Sequence, residues 1–210
     1  SLYNIRNATE LERIFLYLCN VSSEIVSIEA IAKELNGVSR PTVENYIQYL
    51  EDAFIIEKAL RYDVKGRKYI GVETKYYFAD MGLRGAILNF RQQEEPHIME
   101  NIIYNELRMR GYRVDVGRVD TWGRDDNGKT IHQALEVDFV VNKGAERIYI
   151  QSAYRMPTEE KENQEKRSLL NTGDNFRKVI IVGDDIKRKV DELGVVTISL
   201  FDFLLNLTEV

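Results

Sequence analysis

A change of hydrophobic period at Asp52 constrains this chain more than any other feature. Before it, apolar residues recur at helical spacing in three separate short runs; after it they alternate or run on as strands do. The first run is Leu11, Ile14, Phe15 and Leu18, preceded by Thr9 with Glu12 three residues later, the spacing of a capping box. The second starts near Ser27, places Ile28, Ile31, Ala32 and Leu35 on one face, and stops at Asn36-Gly37. Ser39 caps the third, Pro41 lies in its first turn, and Val43, Tyr46, Ile47 and Leu50 make its buried stripe. Past Asp52, Phe54, Ile55 and Ile56 enter a strand. Gly66 marks a turn in Val64-Lys65-Gly66-Arg67-Lys68, and Lys75 to Ala79 returns as a second strand.

Three short helices with a tight Gly-containing turn before the last form a helix-turn-helix, and a hairpin after the third is a wing. The segment SRPTVENYIQYLEDAFII resembles the winged helix-turn-helix superfamily, which implies DNA binding with the third helix in the major groove. Charge redirects that expectation. Between Thr42 and Ala53 the third helix carries Glu44, Glu51 and Asp52 and no Lys or Arg, so its open face meets phosphates with the wrong sign. Between Lys58 and Lys75, six basic residues face only Asp63 and Glu73. DNA contact is therefore expected through the wing, at Arg61, Lys65, Arg67 and Lys68, with protein contact as the alternative use of the winged helix.

The net charge of −5 argues against a protein that coats nucleic acid indiscriminately. With 44% hydrophobic and 30% charged residues, the chain can bury a core. Cys19 is its only cysteine, which excludes an internal disulfide, and the run Ile14 to Leu18 beside it suggests a buried structural thiol rather than a nucleophile. His97 and His132 are far apart and lack cysteine companions, against a zinc site of His/Cys type. No apolar run approaches the roughly 20 residues that cross a bilayer, and no basic-then-apolar leader precedes Leu2. The expected location is cytoplasmic, with no membrane partner. The start at Ser1 suggests a piece of something longer.

Gly123-Arg-Asp-Asp-Asn-Gly128-Lys129-Thr130 satisfies G-x-x-x-x-G-K-[ST], but Ile131, Ala134, Leu135, Val137, Phe139 and Val141 follow as extended chain. A phosphate loop needs a helix there, whose N-terminal N–H groups meet the phosphates. Asp125 and Asp126 would also repel a polyphosphate, and Asn127-Gly128 reads as a hairpin turn.

In the second half, Pro96 opens a helix with Ile98, Met99, Ile102, Ile103 and Leu107 on its apolar face, and Gly111 ends it. Strand residues follow in Tyr112 to Gly117, then an excursion from Trp122 to Lys129, then strands over Ala134–Val141 and Arg147–Tyr154 joined by the tight connection Asn142 to Glu146. Alternation puts Leu135, Val137, Phe139 and Val141 on one face with Glu136 and Asp138 on the other, and gives Tyr149, Gln151 and Ala153 a shared face. Lys178 to Val182 supplies a further core strand. Thr158 to Leu170 reads as a solvated helix, and Val195 to Leu207 as a strand with a closing helix whose Phe201 and Leu205 are core.

An acid on a helix, an Asp on one strand and an acid-x-Lys on the next is how a two-metal phosphodiesterase collects hard oxygen ligands. From Pro96 to Val182 the layout resembles the PD-(D/E)XK nuclease superfamily. That resemblance implies Glu100 as the helical acid, with Glu106 as the fallback, and Asp138 in LEVDFVV as the metal-binding Asp. It puts Gln151 where the second strand acid belongs and Ala153 in the place of the catalytic lysine. Mg²⁺ would be the metal, held by Glu100, Asp138 and Gln151. Lys143, Arg147 and Arg155 are the residues near enough in sequence to replace the lysine. Over almost the whole chain, the order SRPTVENYIQYLEDAFII, KYYFADMGLR, ENIIYNELRMRGY, EVDFVV, IYIQSAY and FRKVIIVGDD resembles the C-terminal region of prokaryotic AAA-type ATPases that end in a domain of unknown function. The resemblance implies an ATPase domain ahead of Ser1, through which alone ATP would enter.

The expected fold is thus α+β and α/β: a winged helix-turn-helix domain over residues 1–90, then a restriction-endonuclease-like mixed β-sheet flanked by helices over residues 91–210. The expected function is a non-catalytic DNA- or partner-binding unit with a degenerate nuclease core. An active metal-dependent DNA nuclease and an oligomerisation module are the alternatives.

Overall fold

The structure, a computed structural model, describes residue 5 and residues 7–91, 94–124 and 128–205. Its elements run α1 (Ala8–Asn20), α2 (Ile28–Glu34), α3 (Arg40–Asp52), β1 (Ile56–Asp63), β2 (Lys68–Phe78), α4 (Met81–Ile87), α5 (Glu95–Met109), β3 (Arg113–Arg124), β4 (Thr130–Lys143), β5 (Glu146–Ala153), α6 (Glu159–Leu170), β6 (Arg177–Val182), β7 (Lys189–Val190), β8 (Val195–Ser199) and α7 (Leu200–Leu205). The class is mixed α and β, with one large mixed sheet and seven helices among the described residues. No described helix is long and apolar enough to cross a membrane.

Two compact units make up the chain: Ser1–Leu60 with Gly71–Asn105, and Arg61–Ile70 with Glu106–Val210. Measured against the expected boundary at residue 90, the first unit runs on into α5. The hairpin tip, Arg61–Ile70, belongs with the second unit.

In the first unit, α1 is capped two residues earlier than the capping-box expectation. Asn7 Oδ1 accepts the N–H groups of Thr9 and Glu10 at 3.1 and 3.3 Å, so Asn7 is the cap and Thr9 lies inside the helix. Ser39 caps α3 as expected, Ser27 caps α2, and Gly37 takes a φ of +93° between them. Ile14, Leu18, Ile31, Val43, Ile47, Leu50, Ile56 and Phe78 close one core. Cys19 is buried in it, and burial pushes its thiol up to about 11, against a nucleophilic role. Helix α4 has no counterpart in the sequence reading. It is nucleated by Asp80, whose Oδ1 accepts from Gly82 and Leu83 N–H, and by Arg84, which is fully buried and donates from Nε to Cys19 O at 2.8 Å.

The sheet order is β2-β1-β3-β4-β5-β6-β8-β7, of which β3 to β8 and the tip of the β1–β2 hairpin belong to the second unit. β1 enters it through Arg61↔Val116 to Asp63↔Arg118, parallel to β3. β3 and β4 form a long antiparallel hairpin paired out to Arg124↔Thr130, so Trp122 to Arg124 are strand rather than excursion. A strand, not the helix that a phosphate loop needs, follows Lys129. Asp125, Asp126 and Asn127 lie outside the described residues, as does Leu207. β5, β6 and β8 are parallel, and β7 closes the edge antiparallel.

Two expectations are corrected. Helix α6 is not simply solvated: Leu169 and Ser168 are buried, and Lys166 reaches Glu162 at 2.6 Å and Asp191 at 2.7 Å. In α7 the core residue is Phe203, while Phe201 and Leu205 are 63% and 78% exposed. Residues four apart share a helix face, and the residue midway between them points to the opposite side.

Candidate functional site

Asp138 sits in a β-bulge, which alternation from sequence does not foresee. Gly117 pairs with Val137 and Asp115 with Val140, so three steps of β4 face two steps of β3. The extra residue brings Val137 and Val140 into the same core cluster, with Tyr149, Ala153, Leu169 and Ile180, and breaks the single apolar row expected from Leu135 to Val141. Gly117 makes the bulge possible: a Cβ there would lie 2.8 Å from both Val137 Cβ and Val140 Cγ2.

The ladder between β4 and β5 is paired as far as Phe139↔Ile150, one residue short of Asp138 and Gln151. Both are engaged. Asp138 is buried, and its Oδ2 accepts the Ser152 N–H at 2.8 Å. The Gln151 Oε1, the one neutral oxygen it offers, accepts from Ser168 Oγ of α6 at 3.2 Å. Ala153 is buried and apolar where the resemblance puts a lysine.

The three substitutes for that lysine are held elsewhere. Lys143 is five residues along β4 from Asp138, roughly 16 Å at strand rise, and donates to Arg110 O at 2.7 Å. Arg147 donates to Asn142 Oδ1 at 2.7 Å and stacks over the Tyr62 and Phe176 rings. Arg155 lies over Tyr154.

The helical acids are also committed. In the first unit Glu100 is buried, and its Oε1 accepts from Lys75 Nζ at 2.9 Å and from the Tyr77 hydroxyl at 2.7 Å. In the second unit Glu106 takes Arg110 Nε at 2.8 Å, and Arg110 caps Phe203 O and lies over the Phe203 ring. Among the described residues no three His, Cys, Asp or Glu side chains gather as a metal-holding group. The donors at the Asp138 bulge are one carboxylate and one occupied amide oxygen, which falls short of the carboxylate set a two-metal phosphodiester centre uses.

The expected nucleic-acid residues lie at the hairpin tip. Lys65, Arg67 and Lys68 are exposed and Arg61 is half-buried. Lys65 donates to Asp120 O at 2.8 Å, and Arg67 takes a φ of +54° in the turn. Helix α3 does begin with a basic residue, but Arg40 is taken by Glu29 at 2.7 Å and Glu44 at 2.9 Å. Its open face, Glu44, Asn45, Gln48 and Asp52, remains acidic and amide-bearing.

Asp115 was not singled out in the sequence, although it interrupts Val114 and Val116 on a strand buried on both faces. Burial pushes its carboxyl above the ordinary range. The Tyr69 hydroxyl, donating at 2.9 Å, and Arg113 pull it back only in part. A raised folded value means that its contribution to stability is full below the unfolded value and is lost as pH rises through the folded one. Asp115→Asn removes that titration, so the variant should gain on the native chain as pH rises above the ordinary aspartate range in urea unfolding. A stability difference that stays flat over that rise would show that Asp115 titrates alike in both states.

Residues 1–94 match a family described as Domain of unknown function (DUF8612). The match stops ahead of α5. An uncharacterized protein of Haemophilus influenzae is 30% identical over 207 residues, covering 96% of this chain and 47% of that protein. The uncharacterized protein MJ1544 of Methanocaldococcus jannaschii is 33% identical over 114 residues, covering 52% of this chain and 25% of its own length. The chain thus spans less than half the length of either curated relative. The crystal structure of protein VC1899 from Vibrio cholerae aligns over 94% of this chain and 50% of its own at 12% identity, with a TM-score of 0.31.

Proposed function

We propose that this chain is a non-catalytic nucleic-acid-binding module of a longer prokaryotic AAA-type ATPase, a winged helix joined to a restriction-endonuclease-like core that has lost its chemistry. The observation that carries this reading is the commitment of every side chain the nuclease reaction would need. Glu100 is tied to Lys75 and Tyr77, Asp138 to the Ser152 amide and Gln151 to Ser168, while Ala153 has no charge with which to stabilise a pentavalent phosphate. The exposed basic tip at Lys65, Arg67 and Lys68 supports a phosphate contact. The greater length of the relatives is compatible with a further domain, through which ATP would act.

The purified chain is expected to bind duplex DNA with an affinity that falls as salt rises. Arg67→Ala with Lys68→Ala should lower the slope of log affinity against log salt by about 1 for each phosphate contact removed. No cleavage is expected with Mg²⁺ or Mn²⁺. Cleavage that disappears in Asp138→Ala would replace this reading with an active nuclease. For α3 alone, the acidic open face and the engaged Arg40 favour a protein surface over the major groove.

A further inference from the structure

The chain's only tryptophan is not core. Trp122, on the outer part of the β3–β4 hairpin, is 73% exposed. Its ring is supported from one side by His132, with centroids 4.6 Å apart, and His132 is itself held by Asp120 Oδ1 at 2.9 Å. A large aromatic surface left open on a braced strand is a platform rather than a packing residue. Beside it opens a cleft of about 270 Å³, lined by Trp122, Gly123 and Arg124 of β3, Ile131 and Gln133 of β4, and Arg167 of α6. Among the described residues nothing stands within 4 Å of where a Gly123 side chain would begin, which leaves room there for a flat group. Arg167 Nη2 donates to the neutral Gln133 Oε1 at 2.6 Å, and no carboxylate among the described residues pairs with either Arg124 or Arg167.

We infer that this cleft binds single-stranded nucleic acid, with an unpaired base stacked on Trp122 and the backbone phosphates met by Arg124 and Arg167. An aromatic platform with adjacent cations is how single strands are held without sequence reading. The guanidinium groups also suit phosphate geometry. The volume suits a single nucleotide, whereas a duplex offers its phosphates but keeps its base faces stacked away from Trp122. The inference rests on the nucleic-acid reading above but employs side chains other than the wing residues.

The test uses the whole chain and an oligothymidine of about ten nucleotides, within the site sizes that single-strand binders cover. Binding is read from Trp122 emission and from the anisotropy of a labelled strand. The oligonucleotide is expected to quench the emission. By anisotropy, Trp122→Ala should weaken binding roughly tenfold, as loss of one stacked base does, with part of the affinity kept in Trp122→Phe. Arg124→Ala and Arg167→Ala should each weaken binding and flatten its salt dependence. Single-strand binding with unchanged emission, or binding undiminished in Trp122→Ala, overturns the inference. So does equal quenching by a polyglutamate peptide. If duplex binding is weakened by Arg67→Ala and Lys68→Ala while the single strand leaves Trp122 untouched, only the cleft assignment fails. If neither nucleic acid binds, the proposed function fails with it.

Discussion

Lys75→Met is expected to lower the stability of the chain by about 3–5 kcal/mol, the penalty for breaking a buried ion pair from one side. Lys75 and Glu100 are both nearly excluded from water, and removing the ammonium leaves the carboxylate with the Tyr77 hydroxyl, which donates at 2.7 Å. One hydroxyl does not replace the solvation that an ionised carboxylate gives up on burial. At the size of this chain the loss should appear as a fall in melting temperature of roughly 10 °C. The double variant Lys75→Met with Glu100→Gln should recover much of it, because no charge is then stranded. Urea unfolding followed by circular dichroism separates the outcomes. A loss under about 1 kcal/mol would mean that Glu100 is solvated and independent of Lys75. It would then again be available as a helical metal acid, and the non-catalytic reading would lose its main support.

Gly117→Val should cost about 3 kcal/mol or more, through overpacking against Val137 and Val140. Its specific mark lies at a distance in sequence. If the bulge gives way, β4 reverts to plain alternation and Asp138 moves off the Ser152 N–H that it accepts at 2.8 Å. Amide hydrogen exchange at Ser152 should therefore accelerate more than exchange along β6 and β8. Gly117→Ala should show the same pattern with a smaller loss, about 1–3 kcal/mol. Equal acceleration throughout the sheet would mean that Gly117 supports the unit generally and does not position Asp138.

The candidate site was legible in parts. The pairing of β4 with β5 next to Asp138 and Gln151 follows from strand spacing, because tight turns such as Asn142 to Glu146 leave little choice of register. What each side chain is doing was not legible. The partner of Glu100 is Lys75, in a different element, and nothing in the helical run Ile98 to Leu107 signals that its acid faces a buried ammonium. Phe201 and Leu205 were assigned to the core because apolar residues in a closing helix usually are, and only the position of Phe203 decides which side of a six-residue helix is inward. The cleft beside Trp122 depends on α6 returning across the β3–β4 hairpin, a contact between residues more than thirty positions apart.

Local order was therefore written in neighbouring residues. The caps at Ser27 and Ser39, the stop at Gly37, the change of period after Asp52 and the end of α5 before Gly111 each depend on a few adjacent side chains and on backbone preferences that act over one turn. The use to which those elements are put came from packing between distant segments. The hairpin tip at Arg61–Ile70 joins a sheet with strands some fifty residues away, the bulge at Asp138 exists because Gly117 lies opposite, and Glu100 is neutralised by Lys75. Burial and register, which no single stretch of chain specifies, decide whether an acid is a ligand or a structural partner.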